Sequence, residues 1–264
     1  MKLQDIECPP FAPVLMESTR AIGYSMESAV ADVIDNSIAA KATNIWIYYN
    51  CISKPFIAIC DDGVGMDDFQ ITEAMRYGTA SPSEVRNTDD LGRYGLGMKT
   101  ASLSQCRSLS VVSKQNSEIV GRRWNLDHIL DTQKWSLEQL SQEEINELPN
   151  SDDLKKLESG TLVVWQNLDK VKSGSVTFEQ ALEEKMQEVK KHLELVFHRF
   201  LSGDVVKKLR IYINRVALVP FDPFFVAKSS IVMDDEKIEI PGRDGKVIIR
   251  PYLLPHPSNM SKDE

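Results

Sequence analysis

No run of apolar residues in this chain approaches the roughly 20 needed to span a bilayer. The N-terminus, Met1-Lys2-Leu3-Gln4-Asp5, lacks the apolar core of a secretory signal. Cysteine is sparse: Cys8, Cys51, Cys60 and Cys106 stand apart, with no C-x-x-C pair and no histidine nearby at ligand spacing. That pattern argues against a disulfide framework or a zinc site and predicts a reduced, cytoplasmic protein with buried thiols. An excess of positive charge is missing too. With 31 Lys+Arg against 39 Asp+Glu the net charge is −8, which argues against this chain being a dedicated nucleic-acid grip. Lys190-Lys191-His192 and Lys207-Lys208 read as a solvated face. No internal repeat is present.

What remains is an ordinary globular composition, 42% hydrophobic and 27% charged, over 264 residues, long for one domain and comfortable for two. Helical spacing of Met26, Ala29, Val30, Val33 and Ser37 behind a Ser25 cap predicts a helix over 26–40. β-Branched and aromatic runs at 44–49 and 56–60 predict two strands, and 68–77 a helix. Segment 78–94 is polar, without sustained periodicity, and reads as a long loop of the kind that is usually functional or disordered. A helix at 98–105 follows, then strands at 109–114 and 119–124. Segment 131–159 is acidic and Glu/Leu-rich, a surface insertion with one short helix; 161–165 is a strand. Beyond Ser173-Gly174-Ser175 come a strong amphipathic helix, 177–201, and strands at 209–213, 216–219, 237–240 and 247–254. A boundary near Val171 separates two α/β domains, 1–170 and 171–264.

Four motifs carry the chemistry. Asp32 and Asn36, four apart, share a helix face opposite Val30 and Val33. An amide oxygen can ligate Mg²⁺ without adding charge, and a carboxylate can polarise an attacking water. Asp61-Asp62-Gly63-Val64-Gly65 follows a strand end, where an acid can accept a hydrogen bond from an exocyclic amine and glycines let backbone approach a flat ring. Gly92-x-x-Gly95-x-Gly97-x-Lys99-Thr100 presents backbone amides and a lysine at a helix N-terminus, which favours phosphate. Its spacing fits neither a Walker A loop nor a dinucleotide fingerprint. Gly160-Thr161 opens a closing strand. Taken singly, each has a plainer reading: a solvated helix face, a strand-to-helix turn, a capped loop. An EF-hand ligand rhythm is absent.

In order and interval across about residues 15–168 these motifs resemble the GHKL ATPase superfamily of gyrase B, MutL, histidine kinases and the ninety-kilodalton heat-shock chaperone. Asp32–Asn36 resembles its N box, Asp62-Gly63-Val64-Gly65 its adenine box, and Gly92–Lys99 its lid motif. Tyr94-Gly95-Leu96-Gly97-Met98-Lys99-Thr100 is most similar to the MORC branch and its bacterial relatives. The resemblance implies an α/β (α+β) two-layer sandwich of the Bergerat type, a mixed sheet with helices on one face and ATP between helices and lid. It implies Mg²⁺ on Asn36, the adenine amine on Asp62 with Thr161 nearby, and phosphates at Gly95, Gly97 and Lys99. Gly65, Met66, Leu96 and Met98 complete the nucleotide contacts, and Asp32 is the catalytic acid–base residue. Ile211-Tyr212-Ile213-Asn214-Arg215 and Val219-Pro220-Phe221-Asp222-Pro223 resemble the start of an S5-like transducer domain, incomplete at residue 264. An N-terminal fragment of a longer protein is therefore expected.

Two departures from the family pattern stand out. Its usual catalytic Glu is Asp32 here, one methylene shorter, and the acid usual three residues after the motif Asn is Ala39. The sequence thus predicts Mg²⁺-dependent ATP binding and slow hydrolysis driving lid closure and a nucleotide-dependent homodimer of the clamp type. A non-hydrolysing ATP sensor is the alternative, and a histidine-kinase-type phosphoryl donor a third reading. No membrane partner is expected, and nucleic acid only through regions outside this chain.

Overall fold

The computed structural model describes residues 8–21, 23–78, 97–171, 174, 176–204, 208–228, 233–240 and 245–260. The loop expected at 78–94, with Gly92, Gly95 and Leu96, falls almost wholly outside the described residues. The chain divides into two compact units, Met1–Val219 and Pro220–Glu264.

In the first unit the order is α1 (Ala12–Arg20), α2 (Met26–Ala39), β1 (Asn44–Asn50), β2 (Phe56–Asp61), α3 (Asp68–Met75), α4 (Gly97–Gln105), β3 (Ser108–Gln115) and β4 (Glu118–Asn125). There follow α5 (Leu126–Thr132), β5 (Glu138–Gln139), α6 (Gln142–Glu147), α7 (Ser151–Lys156), β6 (Gly160–Gln166), α8 (Phe178–Val196), α9 (His198–Ser202), β7 (Arg210–Ile213) and β8 (Val216–Ala217). The strands form one mixed sheet, β5-β4-β3-β6-β2-β1-β7-β8. Its strand pairs are antiparallel except β1 with β7.

The period-2 alternation of the strands sorts the core into two faces. Ile57, Ile59, Leu109, Val111, Val163 and Trp165 pack with apolar side chains of α2, α3, α4 and α8. Ala58, Cys60, Val112, Leu162 and Val164 face the other way, onto Leu140, Ile145, Leu148 and Leu154. Helices therefore cover both faces, where two layers were expected. The reverse side is closed by the 131–159 segment, which holds α6 and α7 where one short helix was expected. Each is six residues, too short to show a period, and α6 is fixed by a capping box between Ser141 and Glu144. α1, nine residues long, carries Pro13 in its first turn, where a missing amide costs little.

The domain boundary expected near Val171 meets no break between compact units. Leu182, Met186, Val189 and Leu193 of α8 are buried in the core that also holds α2, and β7 adds Ile211 and Ile213 while pairing with β1. The helix expected over 177–201 is two, interrupted at Phe197, which leaves helical geometry at φ −100°, ψ 14°. In the second unit, β9 (Glu236–Glu239) and β10 (Lys246–Ile249) pair as an antiparallel hairpin, and Phe224 stacks on Tyr252 at 4.2 Å. Among the described residues no helix is long and apolar enough to cross a membrane.

Burying one large apolar side chain is worth about 1.5–3 kcal/mol, and a whole domain is stable by about 5–15 kcal/mol. Removing α8 and β7 strips six such side chains from the core. A chain ending at 219 should therefore show one cooperative urea transition, and a chain ending at 170 should have none or aggregate. Equal midpoints for the two would show that α8 and β7 are not integral to the first unit.

Candidate functional site

Asp61 ends β2, Thr161 is the second residue of β6 and Ser113 lies near the end of β3. Register pairs Asp61 with Thr161 and Thr161 with Ser113. Directly paired residues share a sheet face, so these three polar side chains form a row on the side covered by α2. Asp61 is only 5% exposed. Its carboxylate accepts the Ser37 hydroxyl at 2.8 Å, from α2, and the Gly63 amide at 2.9 Å. Burial pushes its pKa up to about 6, against the lowering pull of Gly63, Ser37 and the Thr161 amide. The turn that follows demands glycine at Gly65. There φ is +69°, and a Cβ would sit 2.0 Å from the carbonyl oxygen of Lys114. Met66 continues the turn and donates its amide to Ser113 Oγ at 2.8 Å.

Asp62, the residue expected to read a base, is otherwise engaged. Its carboxylate accepts the amides of Thr43 and Asn44 at 2.6 and 2.8 Å, the Thr43 hydroxyl at 2.8 Å and the Asn44 side-chain amide at 2.6 Å. Four donors fill the acceptor capacity of a carboxylate. Burial raises its pKa, but these bonds, led by Asn44, outweigh it and hold the group below the usual carboxylate range. Asp62 thus pins the start of β1 to the end of β2, and the four bonds occupy the carboxylate that was expected to read a base.

The second half of the site lies between α2 and α4. Asp32 and Asp35 are half-buried on α2, and Asn36 is exposed. A methyl group built on Gly97, the first residue of α4, would lie 3.6 Å from Oδ2 of Asp32. The expected acid thus faces the helix N-terminus at which the glycine motif ends. Burial raises the Asp32 pKa, partly opposed by the hydroxyl of Tyr24, which donates to it. Burial and then the Asp32 charge push Asp35 up to about 6. Asn36 donates its Nδ2 to the Asp32 carbonyl at 2.6 Å, which leaves Oδ1 as the atom able to meet a cation. Among the described residues no three His, Cys, Asp or Glu side chains converge as a metal cage. One neutral oxygen donor fits Mg²⁺, which shares its shell with phosphates and water. Met98 packs at the edge of the core, while Lys99 is 2% exposed and donates its ammonium to the Ala74 carbonyl at 2.7 Å. Burial lowers the Lys99 pKa to about 8.

A profile described as Histidine kinase-, DNA gyrase B-, and HSP90-like ATPase matches residues 24–161, more than half of the chain. The chain belongs to that family. It therefore carries a GHKL-type ATP-binding domain. It is also 29% identical over 93 residues to ATPase morc-1 of Caenorhabditis elegans, covering 35% of this chain and 10% of that protein. The DNA mismatch repair protein MutL of Flavobacterium johnsoniae is 27% identical over 99 residues, 36% of this chain and 15% of that protein. The matched stretches thus span a small part of either relative.

Sequence reasoning missed Asp61, Ser37, Ser113 and Tyr24. Asp61 carries a readable signal, since it continues the inward parity of Ile57 and Ile59. Ser37 and Ser113 likewise continue the inward spacing of α2 and β3, while Tyr24 was signalled by nothing local.

Two opposite pH trends follow from Asp61. Its folded pKa lies above the ordinary 3.8, so its contribution to stability is complete below that value and is lost as pH rises through about 6. A ligand amine needs the ionised carboxylate, so ATP affinity should fall as pH drops through about 6. Titration calorimetry from pH 7.5 to 5 on wild type and Asp61→Asn checks this. A loss of affinity equally steep in the variant, where the phosphates and the α2 carboxylates of Asp32 and Asp35 still titrate, would rule Asp61 out.

Proposed function

We propose that this chain binds Mg²⁺-ATP on the helix-covered face of its sheet and hydrolyses it slowly. The adenine amine donates to Asp61, with Thr161 beside it and Gly65 and Met66 forming the turn against the ring. Phosphates meet the glycine motif, Gly95 and Leu96 included, and the amides of Gly97, Met98 and Lys99 at the N-terminus of α4, where backbone donors and the helix dipole both favour anions. Lys99 adds its charge if its ammonium leaves the Ala74 carbonyl. Mg²⁺ would be held by Asn36 Oδ1 together with phosphate oxygens and would neutralise charge on the phosphates. Asp32 then accepts a proton from the attacking water, whose oxygen bonds to the γ-phosphorus as the bond to ADP breaks. The observation that carries this reading is the opposition of the Asp32 carboxylate to Gly97, an acid beside an anion-favouring helix start.

Slow turnover follows from the side chain, one methylene shorter than the family's Glu. Closure of segment 78–94 over the phosphates and pairing of two copies belong to the same proposal, as does a process acting on DNA by regions other than this acidic chain. For the last, MutL's description as a DNA mismatch repair protein is the support. The S5-like transducer reading, made for 171–264, is kept here for the unit Pro220–Glu264. A second reading, an ATP sensor without turnover, is favoured by the Tyr24 hydroxyl, which gives Asp32 a structural partner.

Three substitutions separate these readings. Asp61→Asn should weaken ATP at least about tenfold, because the site is built around an acceptor. Asp62→Asn should instead lower stability, by about 1–3 kcal/mol for disturbed charged hydrogen bonds, with affinity nearly unchanged. Asp32→Ala should slow single-turnover phosphate release about 10²–10⁴-fold while binding persists. Equal rates in wild type and Asp32→Ala would leave the sensor reading in possession.

A further inference from the structure

Ser113 is fully buried at the inner end of the Asp61–Thr161–Ser113 row. A serine hydroxyl has one proton to donate and two lone pairs to accept with. All three are committed. Ser113 Oγ accepts the Met66 amide at 2.8 Å, donates to the Gly160 carbonyl at 3.0 Å and lies 3.0 Å from Thr161 Oγ1. A carbonyl only accepts, so the single Ser113 proton goes to Gly160. The proton between the two hydroxyls is then that of Thr161. With it directed at Ser113, Thr161 keeps only lone pairs for anything arriving from the Asp61 side.

We propose that Ser113 is a positioning residue that fixes the polarity of the Thr161 hydroxyl and thereby makes this wall of the base pocket accept hydrogen bonds without donating any from a side chain. The wall then consists of the ionised Asp61 carboxylate and the Thr161 oxygen. It selects a purine with an amine at its 6-position over one with a carbonyl there, because a carbonyl would face two acceptors. Ser113 sets this selectivity from behind Thr161, without touching the nucleotide. The inference rests on the reading above that the base lies against Asp61.

The test compares equilibrium binding to the 264-residue chain with Mg²⁺ of ATP and ITP, which differ in the 6-amino and 6-oxo groups and in the proton that the oxo form carries on N1. Wild type should prefer ATP at least about tenfold, as a site built around a hydrogen bond does. Ser113→Ala frees the Thr161 hydroxyl to turn and donate, so the ATP:ITP ratio should fall about tenfold, with ITP gaining relative to ATP. Thr161→Val removes the same hydroxyl while leaving the Met66 and Gly160 bonds of Ser113 in place. It should reach a similarly low ratio, and it supplies the measurement if Ser113→Ala does not fold. In the Thr161→Val background, Ser113→Ala should leave the ratio unchanged. A merely structural Ser113 weakens both nucleotides alike; an unchanged ratio in folded Ser113→Ala, or in Thr161→Val, overturns the proposal. Equal binding of ATP and ITP by wild type overturns the base-pocket reading itself, which keeps the two failures distinct.

Discussion

Burying Asp61 at the end of β2 obliges its surroundings to supply hydrogen-bond donors, and they come from three parts of the chain. Ser37 reaches down from α2, the Gly63 amide comes from the following turn, and the Thr161 amide comes from the neighbouring strand. An unmatched buried carboxylate is costly, so helix, turn and strand are held together by one group. The backbone around it is correspondingly tight. At Gly160, with φ +155°, a Cβ would lie 2.1 Å from the Asp61 carbonyl oxygen, so β6 can approach β2 this closely only with glycine there. The same contacts that hold the fold at this point leave the Asp61 carboxylate with acceptor capacity beyond its three donors, and that capacity is what a nucleobase amine would use.

Asp61 and Asp62 are chemically identical and adjacent, yet their environments drive them apart. One is raised by burial, while the other is held low by four donors at the start of β1. Successive residues at a strand end point to opposite sides, so a one-residue difference in where β2 stops decides which acid faces the helices. A strand read to Cys60 leaves both acids in the turn. A strand read to Asp61 puts it on the face of Ile57 and Ile59. The information was present in the alternation, and the strand boundary was the uncertain part.

Legibility elsewhere follows the same physics. Long periodic segments announce themselves: α2, β1, β2, β3, β4, β6 and most of α8 lie within a few residues of their sequence positions. Short helices hold too few turns to show a period. Membership of α8 and β7 in the first unit was invisible because partner choice is a long-range property; Ile211 packs as readily on a new core as on an old one. Lys99 illustrates the same limit. Its position after the glycines fits a phosphate ligand, but its burial and its bond to Ala74 depend on where α3 ends, which no local pattern encodes. Ser113 is a further case, one serine among several in a strand until register aligns it with Thr161.

The α2–α4 half of the site raises a question of charge balance that sequence motifs leave implicit. Asp32 and Asp35 lie near one another on one helix and half out of water, and the charge of Asp32 already helps to raise Asp35 to about 6. Triphosphate arriving beside them adds several negative charges in a partly desolvated place. The N-terminus of α4 offers roughly half a positive charge, which cannot offset that alone. Lys99 is drawn back to the Ala74 carbonyl, and burial already weakens its hold on the proton. In the proposed site, a divalent cation shared between the phosphates and the neutral oxygen of Asn36 would remove the imbalance without adding protein charge. An asparagine serves that position better than an aspartate would, since a third carboxylate one turn from Asp32 would increase the repulsion that the cation has to offset. On the reading proposed above, the amide at position 36 would let two acids and a polyphosphate share one helix face.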